Sequence, residues 1–237
     1  VSLVAGVPLS ALISDAVGWR ATYAVLALCA AVALAGLYKL PERRSAHPAP
    51  LRLMRLLAPL SYRDVPVLLL GCLAFSSAFY GVYAFLADHV RTLLGLSAGQ
   101  VGFIAFAYGA GFLFAGLVGA PLIERLGPRR ALPLALAAIA LVYLGLLPAA
   151  HALAAVLAIA VLWGAASQLS LNLLVLLLSR ARPDERGAVL GLNTCTTYLG
   201  ASVGTAVAGT LYTHAGFDTL GLAAAGAVAL ALSLIHI

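Results

Sequence analysis

Long apolar stretches without a charged residue alternate along this chain with short charged segments. The uncharged stretches are residues 1–14, 21–38, 65–87, 92–123, 131–179, 187–217 and 219–237. A charged side chain at the centre of a membrane helix costs about 2.5–3.5 kcal/mol, and about 20 apolar residues are enough to cross a bilayer. The pattern therefore predicts a bundle of membrane-spanning helices.

Three of these stretches need interpretation before the helices can be counted. Residues 131–179 are too many for one helix, and Pro148–His151 (Pro-Ala-Ala-His) is a natural break within them. Residues 92–123 are expected to begin with a loop. Residues 1–14 are too few to span a bilayer at about 1.5 Å per residue, so we expect them to be the second half of a helix. The prediction is eight helices in an all-α, polytopic membrane fold.

Composition supports lipid as the solvent of this chain. Hydrophobic residues make up 63% of it and charged residues 9%, whereas soluble domains carry about 25% charged residues. The net charge of +6 does not indicate nucleic-acid binding, because the basic residues lie in short segments between apolar runs. Cys29, Cys72 and Cys195 lie inside apolar runs without metal-ligand spacing. We therefore predict packing roles for them and neither a metal site nor a cofactor.

Lysine and arginine are concentrated in alternate connections between the predicted helices. Segments 39–63, 125–130 and 180–186 hold 12 of the 14 basic residues, and the other connections hold only Arg20 and Arg91. Cytoplasmic loops of membrane proteins carry this excess of positive charge. We therefore predict a multi-pass protein of the cell (inner or plasma) membrane. Its predicted cytoplasmic parts are loops 39–64, 124–130 and 180–186 and the C-terminus.

One connection carries a recognisable motif. Residues 120–130, Ala-Pro-Leu-Ile-Glu-Arg-Leu-Gly-Pro-Arg-Arg, resemble the loop signature G-x-L-x-D-R-x-G-R-R of the major facilitator superfamily. In that family one copy lies between helices two and three, and a weaker copy lies between helices eight and nine. Ala120 replaces the first glycine, Glu124 replaces the aspartate, and Pro128 adds a residue before the arginine pair. The segment therefore resembles the degenerate second copy.

Two further segments resemble the same family. Residues 6–10 (Gly-Val-Pro-Leu-Ser), followed by residues 18–20 (Gly-Trp-Arg), are similar to the end of helix five and the start of helix six in bacterial drug:proton antiporters. Val7 and Ser10 stand where the antiporter signature G-P-x-x-G-G has glycine. Residues 182–187 resemble the loop between helices ten and eleven.

The resemblance covers essentially the whole chain and implies helices five to twelve of a twelve-helix transporter, of the arabinose or multidrug efflux permease type. Residues 1–40 would hold the last two helices of the N-terminal half, 41–64 a central cytoplasmic loop, and 65–237 the C-terminal six-helix half. The implied function is secondary active efflux of small molecules in exchange for protons by alternating access, with a monomer expected at full length. We also expect the last helix to be cut, because residues 232–237 stop without a polar tail.

Neutral polar side chains lie within three of the predicted helices. In two of them the residues lie at i, i+4 and i+7 or at i and i+4, so each set shares one face. An amide inside a membrane helix must face protein or water. The resemblance places both helices around a central cavity, so we predict that these side chains line the C-terminal wall of a substrate cavity. The predicted cavity residues are Ser76, Tyr80, Tyr83, Gln168, Asn172 and Asn193.

Each of these assignments has a structural alternative. The two amides of residues 168 and 172 would also be satisfied by hydrogen bonds between helices. Each tyrosine would also suit a position at the bilayer interface. Near Asn193, the hydroxyls of Thr194 and Thr197 are equally expected to bond to the backbone of their own helix.

Small residues and a charged loop complete the predicted machinery. Small residues at a spacing of four let helix backbones approach closely, and the resemblance implies that these stripes contact the other half of the transporter. The predicted packing residues are Gly6, Pro8, Gly111, Ala115, Gly119, Gly200 and Gly204. The resemblance also implies that a loop latches the cytoplasmic face, although its arginines would equally serve only to set topology. The predicted gating residues are Glu124, Arg125, Gly127, Arg129 and Arg130.

Other functions are less compatible with the sequence. A metabolite uptake symporter of the same superfamily remains an alternative, and the helices that precede residue 1 in the implied fold would distinguish it. A membrane enzyme would need an intramembrane catalytic constellation or a metal motif such as H-E-x-x-H, and neither is present. A channel would need a selectivity filter, and ATP-driven transport a phosphate-binding loop. The expected partners are a small-molecule substrate, protons and lipid.

Overall fold

The computed structural model describes residue 13 and residues 17–38 and 57–235, and within these every regular element is a helix. Two short 3₁₀ turns lie at Ala58–Ser61 and Pro183–Glu185. The six long helices are α1 (Trp19–Tyr38), α2 (Asp64–Leu94), α3 (Ala98–Leu126), α4 (Pro128–Ala149), α5 (Leu153–Ala181) and α6 (Arg186–Ile235). Among the described residues these six are long and apolar enough to cross a membrane. The predicted all-α membrane bundle is confirmed.

The chain divides into two compact units, residues 1–52 and 53–237. The described part of the first is α1, a 20-residue helix with no buried residue. Trp19 packs edge-on against Tyr23, with ring centroids 5.9 Å apart, and the Arg20 guanidinium lies 4.7 Å from the Trp19 ring. Aromatic and basic side chains at one end are typical of a membrane-interface anchor. The predicted packing residues Gly6 and Pro8 lie outside the described residues.

Helix boundaries in the second unit follow the charge pattern, with two corrections. The break expected at 148–151 is present, as a turn between α4 and α5. Residues 92–94, where a loop was expected to begin, still belong to α2, because α2 continues past Arg91 and ends at Gly95, whose φ is 65°. The next helix begins later, with a reciprocal cap between Ser97 and Gln100, and continues past residue 123 to Leu126. Charges near span ends are tolerated, so helices extend beyond the uncharged runs.

Helix α6 is interrupted at Gly216, where φ is 80° and ψ is 175°. We call its two arms α6a (residues 186–215) and α6b (residues 217–235), which correspond to the last two predicted helices. Side chains of α2 hold both arms beside the break. The Tyr212 hydroxyl donates to the Asp88 carboxylate at 3.0 Å, and the His89 ring stacks on Phe217 with centroids 4.4 Å apart.

When α6a and α6b are counted separately, the second unit has six helices. These six helices pack in pairs through close backbone contacts. A methyl group added at Gly204 of α6a would collide with the backbone of Ser77 in α2, and one added at Gly164 of α5 would collide with the Tyr108 carbonyl in α3. One added at Gly221 of α6b would lie 2.8 Å from the side chain of Leu147 in α4. Small residues at these crossings let the helices approach closely.

Large apolar side chains on the outside of this unit are exposed. Leu117 is 74% exposed and Leu141 68% exposed. Apolar surface of this extent would be unfavourable in water, and lipid would cover it.

At the end of the unit where α2 begins, the Arg182 guanidinium lies 3.3 Å from the Tyr62 ring centroid. That cation–π contact joins the α5–α6 connection to the segment that precedes α2.

Candidate functional site

An aromatic cluster connects four helices of the six-helix unit. Phe79 and Tyr83 of α2 stack with centroids 5.6 Å apart. Tyr83 lies 5.8 Å from Tyr108 of α3, and Phe79 lies 5.3 Å from Trp163 of α5. Trp163 in turn lies 5.7 Å, edge to face, from Tyr143 of α4. Aromatic rings favour these tilted and edge-on arrangements, so the cluster fixes the relative positions of α2, α3, α4 and α5.

The cluster has a buried side and an accessible side. Tyr108, Tyr143 and Trp163 are at most 2% exposed. Phe79 and Tyr83 are half-buried, as is the neighbouring Tyr80, whose ring is 5.0 Å from that of Phe79. The three α2 rings therefore present an edge of a buried aromatic layer to the outside of the unit. We call Phe79, Tyr80 and Tyr83 the aromatic edge.

Several polar atoms behind the aromatic edge are buried without a hydrogen-bond partner. The Tyr108 hydroxyl lies next to Ser167 and the Tyr143 hydroxyl next to Trp163, but neither contact reaches hydrogen-bond geometry. Among the described residues, the Tyr143 hydroxyl, the indole N–H of Trp163 and the hydroxyls of Ser167 and Ser170 are unpartnered. Unpartnered polar groups in an apolar interior are costly, so they mark positions where water or a ligand would be stabilised.

The structure separates the predicted residues of α2. Ser76 is 1% exposed and lies in the contact between α2 and α6a, where its Cβ would be 2.9 Å from a Cβ added at Gly200. Its hydroxyl is 3.9 Å from the Cys72 sulfur. Tyr80 and Tyr83 belong to the accessible aromatic edge instead. Residues of one helical face thus divide into a packed part and an accessible part, because α6a crosses that face.

The structure places the predicted amides away from the aromatic cluster. Gln168 is half-buried on α5, and its Nε2 would lie 3.5 Å from a Cβ added at Gly116 of α3. Asn172 is exposed on the same face of α5, which differs from the face that carries Trp163 and Ser167. These amides therefore lie on a surface that α3 partly covers.

Asn193 is half-buried near the start of α6a, and its side-chain oxygen has no hydrogen-bond partner among the described residues. The neighbouring threonines follow the alternative expected for them. Thr194 donates to the Leu190 carbonyl at 3.0 Å, and Thr197 donates to the Asn193 carbonyl at 2.8 Å. Their hydroxyls are thus satisfied within the helix, whereas the Asn193 side chain is available to another group.

The stripes of small residues pack inside the six-helix unit. Gly111 lies against the Val161 backbone of α5, and a Cβ added at Gly119 would be 2.7 Å from Leu169. Ala115, between them, is 3% exposed. Gly200 and Gly204 face α2. The described contacts of these stripes are between helices of this unit, and their contact with the other half of a transporter stays a prediction.

The predicted gating loop is a one-residue connection between α3 and α4. Gly127 adopts φ 74° and ψ 147°. Its amide donates to the Ile123 carbonyl at 2.9 Å, and its own carbonyl accepts from the amides of Arg130 and Ala131 at 3.2 and 3.0 Å. The four charged side chains of this loop, Glu124, Arg125, Arg129 and Arg130, are all exposed. The connection thus presents one carboxylate and three guanidinium groups to the surroundings.

The sequence contained a signal for the buried polar side of the cluster that the prediction missed. Trp163, Ser167 and Ser170 lie at i, i+4 and i+7 of α5, the same spacing that singled out the α2 residues. Within the described residues, no three His, Cys, Asp or Glu side chains converge in a way that would hold a metal ion.

Comparison with known families gives the fold its affiliation. A family model described as Major Facilitator Superfamily matches residues 68–237, which extend from α2 to the end of the chain. This match covers most of the sequence and nearly all of the six-helix unit. The superfamily suggested by the loop at residues 120–130 is thereby confirmed. The chain belongs to the Major Facilitator Superfamily and is a secondary transporter of that superfamily.

Proposed function

We propose that this transporter exports small amphipathic molecules in exchange for protons by alternating access, and that the aromatic edge on α2 contacts the substrate. The observation that carries the proposal is the combination of half-exposed rings at Phe79, Tyr80 and Tyr83 with buried, unpartnered polar atoms behind them. Small-molecule sites are usually lined by apolar and aromatic side chains with a small number of polar groups, and this part of the unit offers both kinds of group.

The chemistry of the aromatic edge favours flat apolar or cationic substrates. Ring faces attract cations by about 0.5–2 kcal/mol and stack on other aromatic groups. The charged residues of α2 to α6 lie near helix ends or beside the break at Gly216, as with Arg91, Glu124 and Asp218. The middle parts of these described helices carry no charged side chain, and such a side chain would be needed to select a strongly ionic metabolite. This favours export of amphipathic compounds over uptake of a charged nutrient.

The rest of the proposed arrangement follows the family resemblance. Residues 1–40 would belong to the N-terminal half, 41–64 to the central loop, and 65–237 to the C-terminal half. Gln168, Asn172 and Asn193 would border the same cavity beyond the aromatic edge, and the loop at 124–130 would latch the cytoplasmic face. Direction and proton coupling rest on the similarity of residues 6–10 and 18–20 to drug:proton antiporters.

Transport by inside-out vesicles tests the proposal directly. Vesicles containing the complete gene product should accumulate a fluorescent aromatic cation when acidified inside, and a protonophore should abolish accumulation. Tyr83→Ala should raise the KM for the dye about tenfold, since it removes the ring that joins α2 to Tyr108. Tyr198→Ala is the matched control, because Tyr198 is 67% exposed on α6a, outside the cluster.

Several outcomes would contradict this assignment. Accumulation that ignores the protonophore would reject proton coupling, and uptake only by right-side-out vesicles would favour the symporter alternative. Equal effects of Tyr83→Ala and Tyr198→Ala would reject the aromatic edge as the contact surface.

Cysteine accessibility provides an independent test of the cavity. In a background without Cys29, Cys72 and Cys195, a cysteine at position 80 should react with an aqueous reagent and be protected by the dye. A cysteine at position 76 should stay unreactive, because Ser76 is buried against α6a. A reactive cysteine at position 76, together with a cysteine at position 80 that never reacts with the reagent, would reject the proposed geometry.

A further inference from the structure

A cavity of about 940 Å³ opens at the end of the six-helix unit where α2 begins. Its walls are the start of α2, the start of α4, the end of α5 and the end of α6b. This volume is at the upper end of the range of about 300–1,000 Å³ that is typical of small-molecule sites. The cavity contains none of the proposed substrate residues, so it is distinct from the aromatic edge.

Three arginines from three separate elements line this cavity. Arg63 precedes α2, Arg129 lies in the first turn of α4, and Arg180 lies in the last turn of α5. One acidic residue, Asp64, also lines it, which leaves a formal excess of two positive charges. None of the three arginines is paired with an acidic side chain of the described residues. The excess charge is therefore available to an anionic ligand.

Helix dipoles do not account for this charge. The starts of two helices and the ends of two others meet at the cavity, and the partial charges of helix starts and ends have opposite signs. The field inside the cavity therefore comes mainly from the guanidinium groups. Guanidinium binds phosphate through two parallel N–H donors, and it is the side chain that most often recognises phosphate groups in proteins.

The remaining wall of the cavity is apolar. Its apolar residues are Val67, Leu68, Leu132, Leu177, Ala181 and Leu234. They belong to the ends of membrane-spanning helices, so this wall lies at the depth where lipid headgroups meet acyl chains. A ligand that satisfies both the arginines and this wall is amphipathic, with an anionic head and an apolar body.

We propose that this cavity binds the phosphate headgroup of an anionic phospholipid, with the three arginines around the phosphate and the acyl chains against the apolar wall. Basic pockets between transmembrane helices on the cytoplasmic side bind such headgroups. The arginines belong to the connections that the positive-inside rule assigns to that side. The chain's own segment 39–56 is a poor occupant, because its sequence has five basic residues and one acidic residue.

Binding to the purified, detergent-solubilised complete protein tests the proposal by native mass spectrometry. Three probes separate the possible sources of the phosphate: phosphatidylglycerol, phosphatidylcholine and glycerol phosphate. We expect phosphatidylglycerol to bind most tightly, with glycerol phosphate weak because it lacks acyl chains. Replacing Arg63, Arg129 or Arg180 by Gln should each weaken phosphatidylglycerol binding about fivefold, as expected for one basic residue near an anionic lipid.

Two controls separate binding from folding. Arg186→Gln should leave lipid binding unchanged, because Arg186 is exposed on the same side of the unit but does not line the cavity. Arg129→Lys should lose less affinity than Arg129→Gln, since it keeps the charge but not the two parallel N–H donors. Equal binding of phosphatidylcholine, equal loss in Arg186→Gln, or glycerol phosphate binding as tight as that of the lipid would each overturn the proposal.

Discussion

Two glycines show how a single backbone conformation positions whole helices. Gly127 and Gly216 both combine a positive φ with an extended ψ, at 74° and 147° and at 80° and 175°. Residues with a Cβ rarely adopt this conformation. Gly127 allows α3 to pass directly into α4, and Gly216 divides α6 into two arms. Neither glycine has a neighbour that a Cβ would strike, so the requirement is conformational rather than steric.

Replacing Gly216 by Ala should therefore lower the stability of the protein by about 1–3 kcal/mol, which is the cost of strained backbone. Thermal unfolding of the detergent-solubilised protein would measure the change. Gly226→Ala is the matched control in the same helix, since it is helical and its Cβ would also meet nothing within 4 Å. Alanine there should be neutral or slightly stabilising. The same loss in both variants would reject a special role for the break.

Pairs of helices in this bundle depend on close backbone contact rather than on large interdigitating side chains. Gly111 of α3 meets the Val161 carbonyl, and Gly164 of α5 meets the Tyr108 carbonyl. One glycine belongs to each helix of the α3–α5 crossing. The absence of a side chain at both positions lets the two backbones come into contact. This crossing also holds Tyr108 and Trp163 with ring centroids 5.2 Å apart, which makes the aromatic cluster depend on it.

We expect Gly164→Ala to destabilise the protein by about 1–3 kcal/mol through overpacking. A Cβ at this position would also lie 2.8 Å from the Phe112 amide nitrogen, and a backbone atom cannot move aside as a side-chain end can. The control is Gly145→Ala in α4, where the nearest atom would be 3.5 Å away on Ile159. Thermal unfolding and intrinsic tryptophan fluorescence in a Trp19→Phe background would both report the change. An unchanged transition in Gly164→Ala would contradict the importance of this crossing.

The placement of basic residues makes a prediction about the molecule as a whole. The α5–α6 connection carries Arg180, Arg182 and Arg186, whereas the α4–α5 turn carries none. Because the positive-inside rule assigns arginine-rich connections to the cytoplasm, the two should lie on opposite sides of the membrane. This arrangement would also place the proposed lipid cavity in the cytoplasmic leaflet.

Labelling of single cysteines with a membrane-impermeant reagent tests this topology. In the cysteine-free background, Asp184→Cys should react only in inside-out vesicles, and Ala152→Cys only in intact cells. Both positions are exposed, so failure to react would not be explained by burial. Labelling of both from the same side would show that the helix count or the orientation is wrong.

The helices, their approximate limits and the superfamily were predictable from the sequence, whereas much of the candidate site was not. Spacing alone grouped Ser76 with Tyr83, but α6a covers Ser76 and leaves the tyrosine accessible. The same spacing at Trp163 and Ser167 does not by itself indicate a site, because a tryptophan in an apolar run is equally expected in ordinary core packing. Which face of a helix is covered depends on the neighbours that cross it, and those neighbours are distant in sequence.

By itself the sequence determined that this is a membrane protein, because the free-energy cost of placing a charge in a membrane span depends on the residues of that span alone. It also determined the positions of the spans and the asymmetry of their connections. Only the tertiary structure decided which polar residues are buried in helix contacts and which belong to an accessible aromatic edge. It also brought Arg63, Arg129 and Arg180 to one cavity, since helix packing joins residues that no local pattern relates.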